Sequence, residues 1–189
     1  MKKLIALCLV LAAGSAGATI TGGGTIGSFT APGTLDTGPG AVSDTDVENF
    51  LGLANGTLDA LTGFDATEGS AGQLFADVAG GTIISFDWFW ETNEFFGEDD
   101  YNDFAFVSIS MNGVLVLADT FTPTETGGTF TYTAGTNGLI AIGIGIMDAT
   151  DEFVLSQITV SNVQEIPAPA SLLLLGLGLA GLGVARRRA

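Results

Sequence analysis

Seven carboxylates, Asp87, Glu91, Glu94, Glu98, Asp99, Asp100 and Asp103, crowd one short stretch of this chain with no Lys, Arg, His or Cys among them. Hard oxygen ligands packed so densely need a counter-charge, and Ca²⁺ accepts six to eight oxygens in flexible geometry. Asp87, Glu94, Asp99, Asp100, Asn102 and Asp103 form the candidate Ca²⁺ shell, with Asp87 and Asp103 expected to flank a loop on adjacent strand segments. The spacing is neither that of an EF-hand loop nor that of a nonapeptide Ca²⁺ repeat. A solvated acidic loop that gathers cations diffusely would use the same residues. Asp148, Asp151 and Glu152 make a smaller cluster, read as turn formers, and Asp119 is expected to cap a strand.

Absences narrow the chemistry. The chain has 21 Asp and Glu, five Lys and Arg, no His, and a single cysteine, Cys8. All five basic residues lie at the ends: Lys2 and Lys3, then Arg186, Arg187 and Arg188. The body between therefore has no Ser-His-Asp triad, thiol nucleophile, nitrogen- or sulfur-ligated zinc, Schiff base or phosphate clamp. Nucleic acid is excluded as a partner by charge repulsion. Two carboxylates beside aromatic rings also describe a glycosidase, with Glu91 or Glu94 as acid and Trp88, Trp90 and Tyr101 stacking on sugar. Trp88 and Trp90 share a strand face with Ile84 and Phe86, however, which is more simply a core face. The reading is that the protein is not an enzyme.

The elements that position these residues are mostly strands. Thr82–Trp90 alternates Ile84, Phe86, Trp88 and Trp90 against Ile83, Ser85, Asp87 and Phe89; Asp103–Met111 and Leu139–Met147 alternate likewise. In the last, Ala141, Gly143 and Gly145 leave one face nearly flat, a pattern that an ice-binding surface would share. Further strands are expected near Thr25–Thr30, Gln73–Val78, Val114–Ala118, Thr129–Thr133 and Val154–Val163. Asn112-Gly113 predicts a tight hairpin. Thr45-Asp46-Val47-Glu48 reads as a capping box opening one short helix that ends before Gly52. The expected fold is all-β, a two-sheet antiparallel β-sandwich of jelly-roll type with one short helix. No disulfide can help hold it.

The ends are of another kind. Lys2-Lys3, the apolar run Leu4–Ala13 and the small residues Ala16 and Ala18 form a secretory signal peptide, residues 1–18, for signal peptidase to remove. The acidic sandwich domain then spans 19–166. In 167–189, Pro167-Ala168-Pro169 precedes an apolar run from Leu172 to Ala185 and the cluster Arg186-Arg187-Arg188. As a helix that run is roughly 21 Å long, enough for at least transient membrane residence, with the arginines holding its end in the cytoplasm.

This tail closely resembles the PEP-CTERM sorting signal of Gram-negative bacteria, a Pro-Glu-Pro signature followed by a Leu/Gly-rich span and a basic cluster. Ala168 stands where that family usually has Glu. The body is similar to domains often found ahead of such tails, on Phe86-Asp87-Trp88, Thr92-Asn93-Glu94, Asn102-Asp103-Phe104-Ala105-Phe106, Phe50-Leu51-Gly52-Leu53 and Gly143-Ile144-Gly145. The resemblance implies transit of the inner membrane, processing by an exosortase-type enzyme, and delivery to the outer surface or extracellular matrix. Association there with exopolysaccharide or biofilm, through Ca²⁺, is the expected role. The competing expectations are a carbohydrate-binding module with an aromatic platform, and a surface protein kept in the membrane by its C-terminal helix.

Overall fold

The computed structural model describes residues 20–30, 33–94, 102–110, 113–150 and 154–167. The signal peptide, with Ala16 and Ala18, lies outside them, as do Glu98 to Tyr101, Asp151, Glu152, and the tail from Ala168 onward. No helix among the described residues is long and apolar enough to cross a membrane.

The elements run β1 (Ile20–Ile26), β2 (Ser28–Thr30), β3 (Thr34–Asp36), β4 (Val42–Ser43), α1 (Asp44–Leu51), α2 (Thr57–Thr62), β5 (Ala66–Val78), β6 (Ile83–Thr92), β7 (Phe104–Ile109), β8 (Gly113–Asp119), β9 (Glu125–Thr133), β10 (Gly138–Ala149) and β11 (Ser156–Ile166). They form two antiparallel sheets. Sheet A has the order β1-β5-β10-β7-β8, with β4 also on β5; sheet B has the order β2-β3-β11-β6-β9. The two-sheet sandwich expected from the alternation is the fold. β7 and β8 pair as the Asn112-Gly113 signal predicts, with Ile109 opposite Gly113. β6 and β7 do not neighbour each other: they belong to opposite sheets, so Asp87 and Asp103 are not on adjacent strands.

Between the sheets, Ile84, Phe86 and Trp90 of β6 meet Ile142, Ile144 and Ile146 of β10, with Ala105, Val107 and Ile158 closing the layer. Phe86 stacks on Phe130 with ring centroids 5.1 Å apart. Trp88 packs against this core from its margin. The period-two pattern thus aims both tryptophans inward, because burying large aromatic area is the strongest apolar gain the strand can make.

The flat face of β10 is not open to water. α1 lies across it, and a Cβ at Gly143 would come 2.6 Å from Leu51 Cδ2. Val47, Leu51, Leu58, Phe104, Phe106 and Met147 make a second apolar cluster there, under the helices. An ice-binding surface is ruled out at this position by that cover.

Two helices, not one, build the cover. α1 begins two residues earlier than the sequence pattern indicates. Ser43 is its N-cap: the Ser43 hydroxyl accepts from the Asp46 amide at 3.2 Å and donates to Asp46 Oδ2 at 3.0 Å. Glu48 is therefore free for another task. Fully buried, it accepts from the Gly56 amide at 2.9 Å and the Leu58 amide at 2.8 Å, supplying the N-terminal cap that Gly56 cannot give α2.

Candidate functional site

Three of the predicted Ca²⁺ ligands gather at one end of the sandwich. Glu94, Asn102 and Asp103 are all buried there. Asp103 Oδ2 accepts from the Ser156 hydroxyl at 2.5 Å, and Oδ1 accepts from the Ala149 amide at 3.3 Å. Ser156 Oγ also lies 2.6 Å from Thr92 Oγ1, which accepts from the Glu94 amide at 3.0 Å. Asn102 Oδ1 accepts from both the amide and the hydroxyl of Thr120. One polar network therefore ties β6, β7, β8, β10 and β11 together where the strands end.

Asp148 joins this end. It forms no turn: it is 1 % exposed inside β10, one residue from the amide that bonds Asp103. A polar residue after an apolar run gives no sign of whether the strand continues past it, so no sequence signal separates the two cases. Asp119 does behave as expected: its Oδ1 accepts from the Phe121 amide at 3.0 Å, turning the chain after β8.

Asp87 is elsewhere. It lies on the outward face of β6, seven residues from Glu94, which is roughly 23 Å along an extended strand. Its carboxylate accepts from the Thr129 hydroxyl at 2.6 Å and from Asn162 Nδ2 at 2.7 Å. Those bonds, Thr129 first and Asn162 second, hold its pKa below the ordinary aspartate value. Asn162 reaches it from a left-handed conformation, φ 51°, at a break in the β11 register, a geometry that Asn tolerates better than most residues. Asp99 and Asp100 lie outside the described residues. Among the described residues no three His, Cys, Asp or Glu side chains converge as a metal site.

The outward face of sheet B carries a second arrangement. In one cross-strand row Gln157 pairs with Asp36 and Glu91, and Glu91 pairs with Glu125. Gln157 Nε2 donates to Glu91 Oε2 at 2.6 Å, while Asp36 Oδ1 accepts from the Gly38 amide. This row lines a cleft of about 570 Å³ that Pro39, Asn93 and Leu155 also border. The next row holds Thr34, Thr159, Phe89 and Gly127, and the one after it Ser161, Asp87 and Thr129. Phe89 is 42 % exposed. It was legible in the sequence as the one aromatic opposite the core face of its strand. The tryptophans proposed to stack on sugar face the other way, and Tyr101 lies outside the described residues.

Of the sorting signal, Pro167 is described and exposed, directly after the last residue of β11; Ala168, Pro169 and Arg186 to Arg188 are outside the described residues.

No curated protein matches the chain. Among solved structures, TmCBM61 in complex with β-1,4-galactotriose is similar over 81 % of this chain and 90 % of its own, at 9 % identity and a TM-score of 0.34. Residues 165–188 match the PEP-CTERM protein-sorting motif, Ala168 included, and the chain is accordingly an exported protein that carries an exosortase sorting signal.

Proposed function

We propose that the protein is a non-catalytic component of the outer surface or extracellular matrix of a Gram-negative bacterium, where its acidic body associates with exopolysaccharide. The observation that carries this reading is the sorting motif at 165–188, joined directly to a sandwich whose sequence holds no positive side chain. A body of this charge stays dispersed in water and meets an anionic polymer only through shared cations.

Ca²⁺ is the cation that suits it. Hydrogen bonds or a counter-charge must compensate a buried carboxylate; Asp103 is fully buried and accepts from Ser156 and Ala149, and its segment, residues 19–166, holds no cationic side chain. Glu94, Asn102 and Asp103, with Asp99 and Asp100 from the intervening sequence, would supply the oxygen ligands. Asp87, on the outer face, would serve only diffuse cation binding.

The test is co-sedimentation of the protein, recovered from its own cells, with the host exopolysaccharide, with and without a chelator. The expected result is sedimentation that the chelator abolishes. Sedimentation that survives chelation removes Ca²⁺ bridging, and none in either condition removes the matrix role. Intact mass of the same preparation reports the tail: loss of Arg186–Arg188 with the apolar run marks processing, whereas retention marks a membrane-anchored surface protein.

A further inference from the structure

We infer that the outward face of sheet B, centred on Phe89, is a binding face for a glycan chain bearing free, protonated amino groups. This goes beyond the exopolysaccharide reading: it names a different part of the molecule, and a glycan other than the anionic polymer that calcium would bridge.

The argument begins with Phe89. A half-exposed aromatic ring on a polar sheet face gains little from burial where it stands. Its cross-strand partner is Gly127, where a Cβ would come 3.1 Å from Phe89 Cδ2. The missing side chain lets the ring lean over Gly127 and present its outer face to solvent, where a flat ligand can lie on it. The C–H face of a sugar ring is such a ligand, apolar on its face and polar at its rim.

The surroundings match that rim. Along β6 the order is Glu91, Phe89, Asp87: a carboxylate on each side of the ring, each roughly 6.7 Å from it along the strand. Thr159 and Thr34 continue the ring's row with hydroxyls 2.8 Å apart, and Gln157 adds an amide to the row above. Hydroxyls and an amide exchange hydrogen bonds with sugar hydroxyls in either direction.

Charge decides the class of sugar. Glu91 stands directly opposite Glu125, a like-charge pair that costs stability in a sheet. Asp36 and Asp87 bring the face to four carboxylates, and the body has no cationic side chain to offset them. A polyuronate would be repelled. An ammonium group on the glycan relieves the repulsion through charge-assisted hydrogen bonds and can also sit over the ring of Phe89. The cleft beside Glu91 and Glu125 gives such a chain a path off the ring. A polybasic peptide would satisfy the charges but would leave the open face of the ring unused.

The experiment uses the full chain in mild detergent with chelator present, titrated with β-1,4-linked glucosamine oligomers, their N-acetylated counterparts, polygalacturonate and polylysine. Phe89→Ala and the double variant Glu91→Gln/Glu125→Gln alter groups outside the core, Glu91 being half-buried, and near-ultraviolet circular dichroism checks their fold. Glucosamine oligomers are expected to bind, and each variant is expected to weaken them about tenfold; N-acetylation is expected to do the same. Absence of glucosamine binding overturns the inference. So does binding that either variant leaves unchanged, binding indifferent to N-acetylation, or polylysine binding of equal strength with the same loss in Phe89→Ala. Loss of host-matrix sedimentation with oligomer binding intact would sink the matrix role alone; the reverse would sink this face alone.

Discussion

Ser156 and Asp103 join the two sheets at one end of the sandwich: the hydroxyl on β11 donates to a carboxylate that stands one residue before β7. Both residues are fully buried. Ser156→Ala removes this donor from a fully buried carboxylate. The expected cost is about 1–3 kcal/mol, read as a lower urea midpoint with an unchanged denaturant slope.

The same end should respond to calcium if the proposed ligands hold it. A ligand bound only by the folded state adds about 2.7 kcal/mol at a hundredfold excess over its dissociation constant. Added CaCl₂ should therefore raise the thermal midpoint of the natural chain and leave that of Asp103→Asn unmoved. An equal rise in both would dissociate Asp103 from the ion.

Glu48 holds two backbone donors that nothing else in α1 or α2 satisfies. In Glu48→Ala both amides lose their acceptor inside the protein, at a cost of about 2–3 kcal/mol, and α2 should loosen before the sheets do. Hydrogen exchange at the Leu58 amide is the measurement. Faster exchange there with core strands still protected is the expected outcome.

Asp87 supplies a pH dependence whose sign is fixed by its bonds. Its folded pKa lies below the ordinary value, so the folded state binds this proton less readily than the unfolded chain. The stabilisation is present above the unfolded pKa and is lost as pH falls through the folded one. Thr129→Val deletes the larger cause and should move the Asp87 titration upward, toward the ordinary aspartate value, as followed by carboxyl NMR. An unmoved titration would reassign the effect to Asn162.

Gly143 tests the cover over sheet A. Gly143→Ala would press a Cβ into Ser108 Oγ and Leu51 Cδ2, so that both side chains must shift within the packing under α1. Overpacking of this kind costs about 1–3 kcal/mol, seen as a lower melting temperature.

The strands that alternate large apolar with polar residues could be read directly: β6, β7 and β10 stand where their patterns put them. β5 was legible only over its last six residues. Its first half, from Ala66 to Gly72, is mostly small residues, since the neighbouring strands leave little room: a Cβ at Gly69 would run into the Ile146 carbonyl. The stretch Thr25–Thr30 divides at Gly27, whose φ of 83° carries the chain from one sheet to the other. α2 has six residues and buries only Leu58, too little for a helical period to register. At the candidate sites, local spacing could suggest that Glu94 and Asp103 belong together. It could not reveal that Asp36, Gln157, Glu91 and Glu125 form one row, because those residues meet only through pairing across four strands.

β11 ends at Ile166, and the sorting motif has by then already begun, at Glu165. These two residues pair with Ile84 and Ile83 inside sheet B. Only Pro167 to Ser171 separate the sheet from the apolar run, a leash of roughly 17 Å at full stretch. Were that run to enter a bilayer, this leash would keep the sandwich within the same short reach of the lipid headgroups. A processing enzyme acting there would need a groove that opens at the membrane surface, or the last pairs of β11, Glu165 with Ile84 and Ile166 with Ile83, peeled away to admit it.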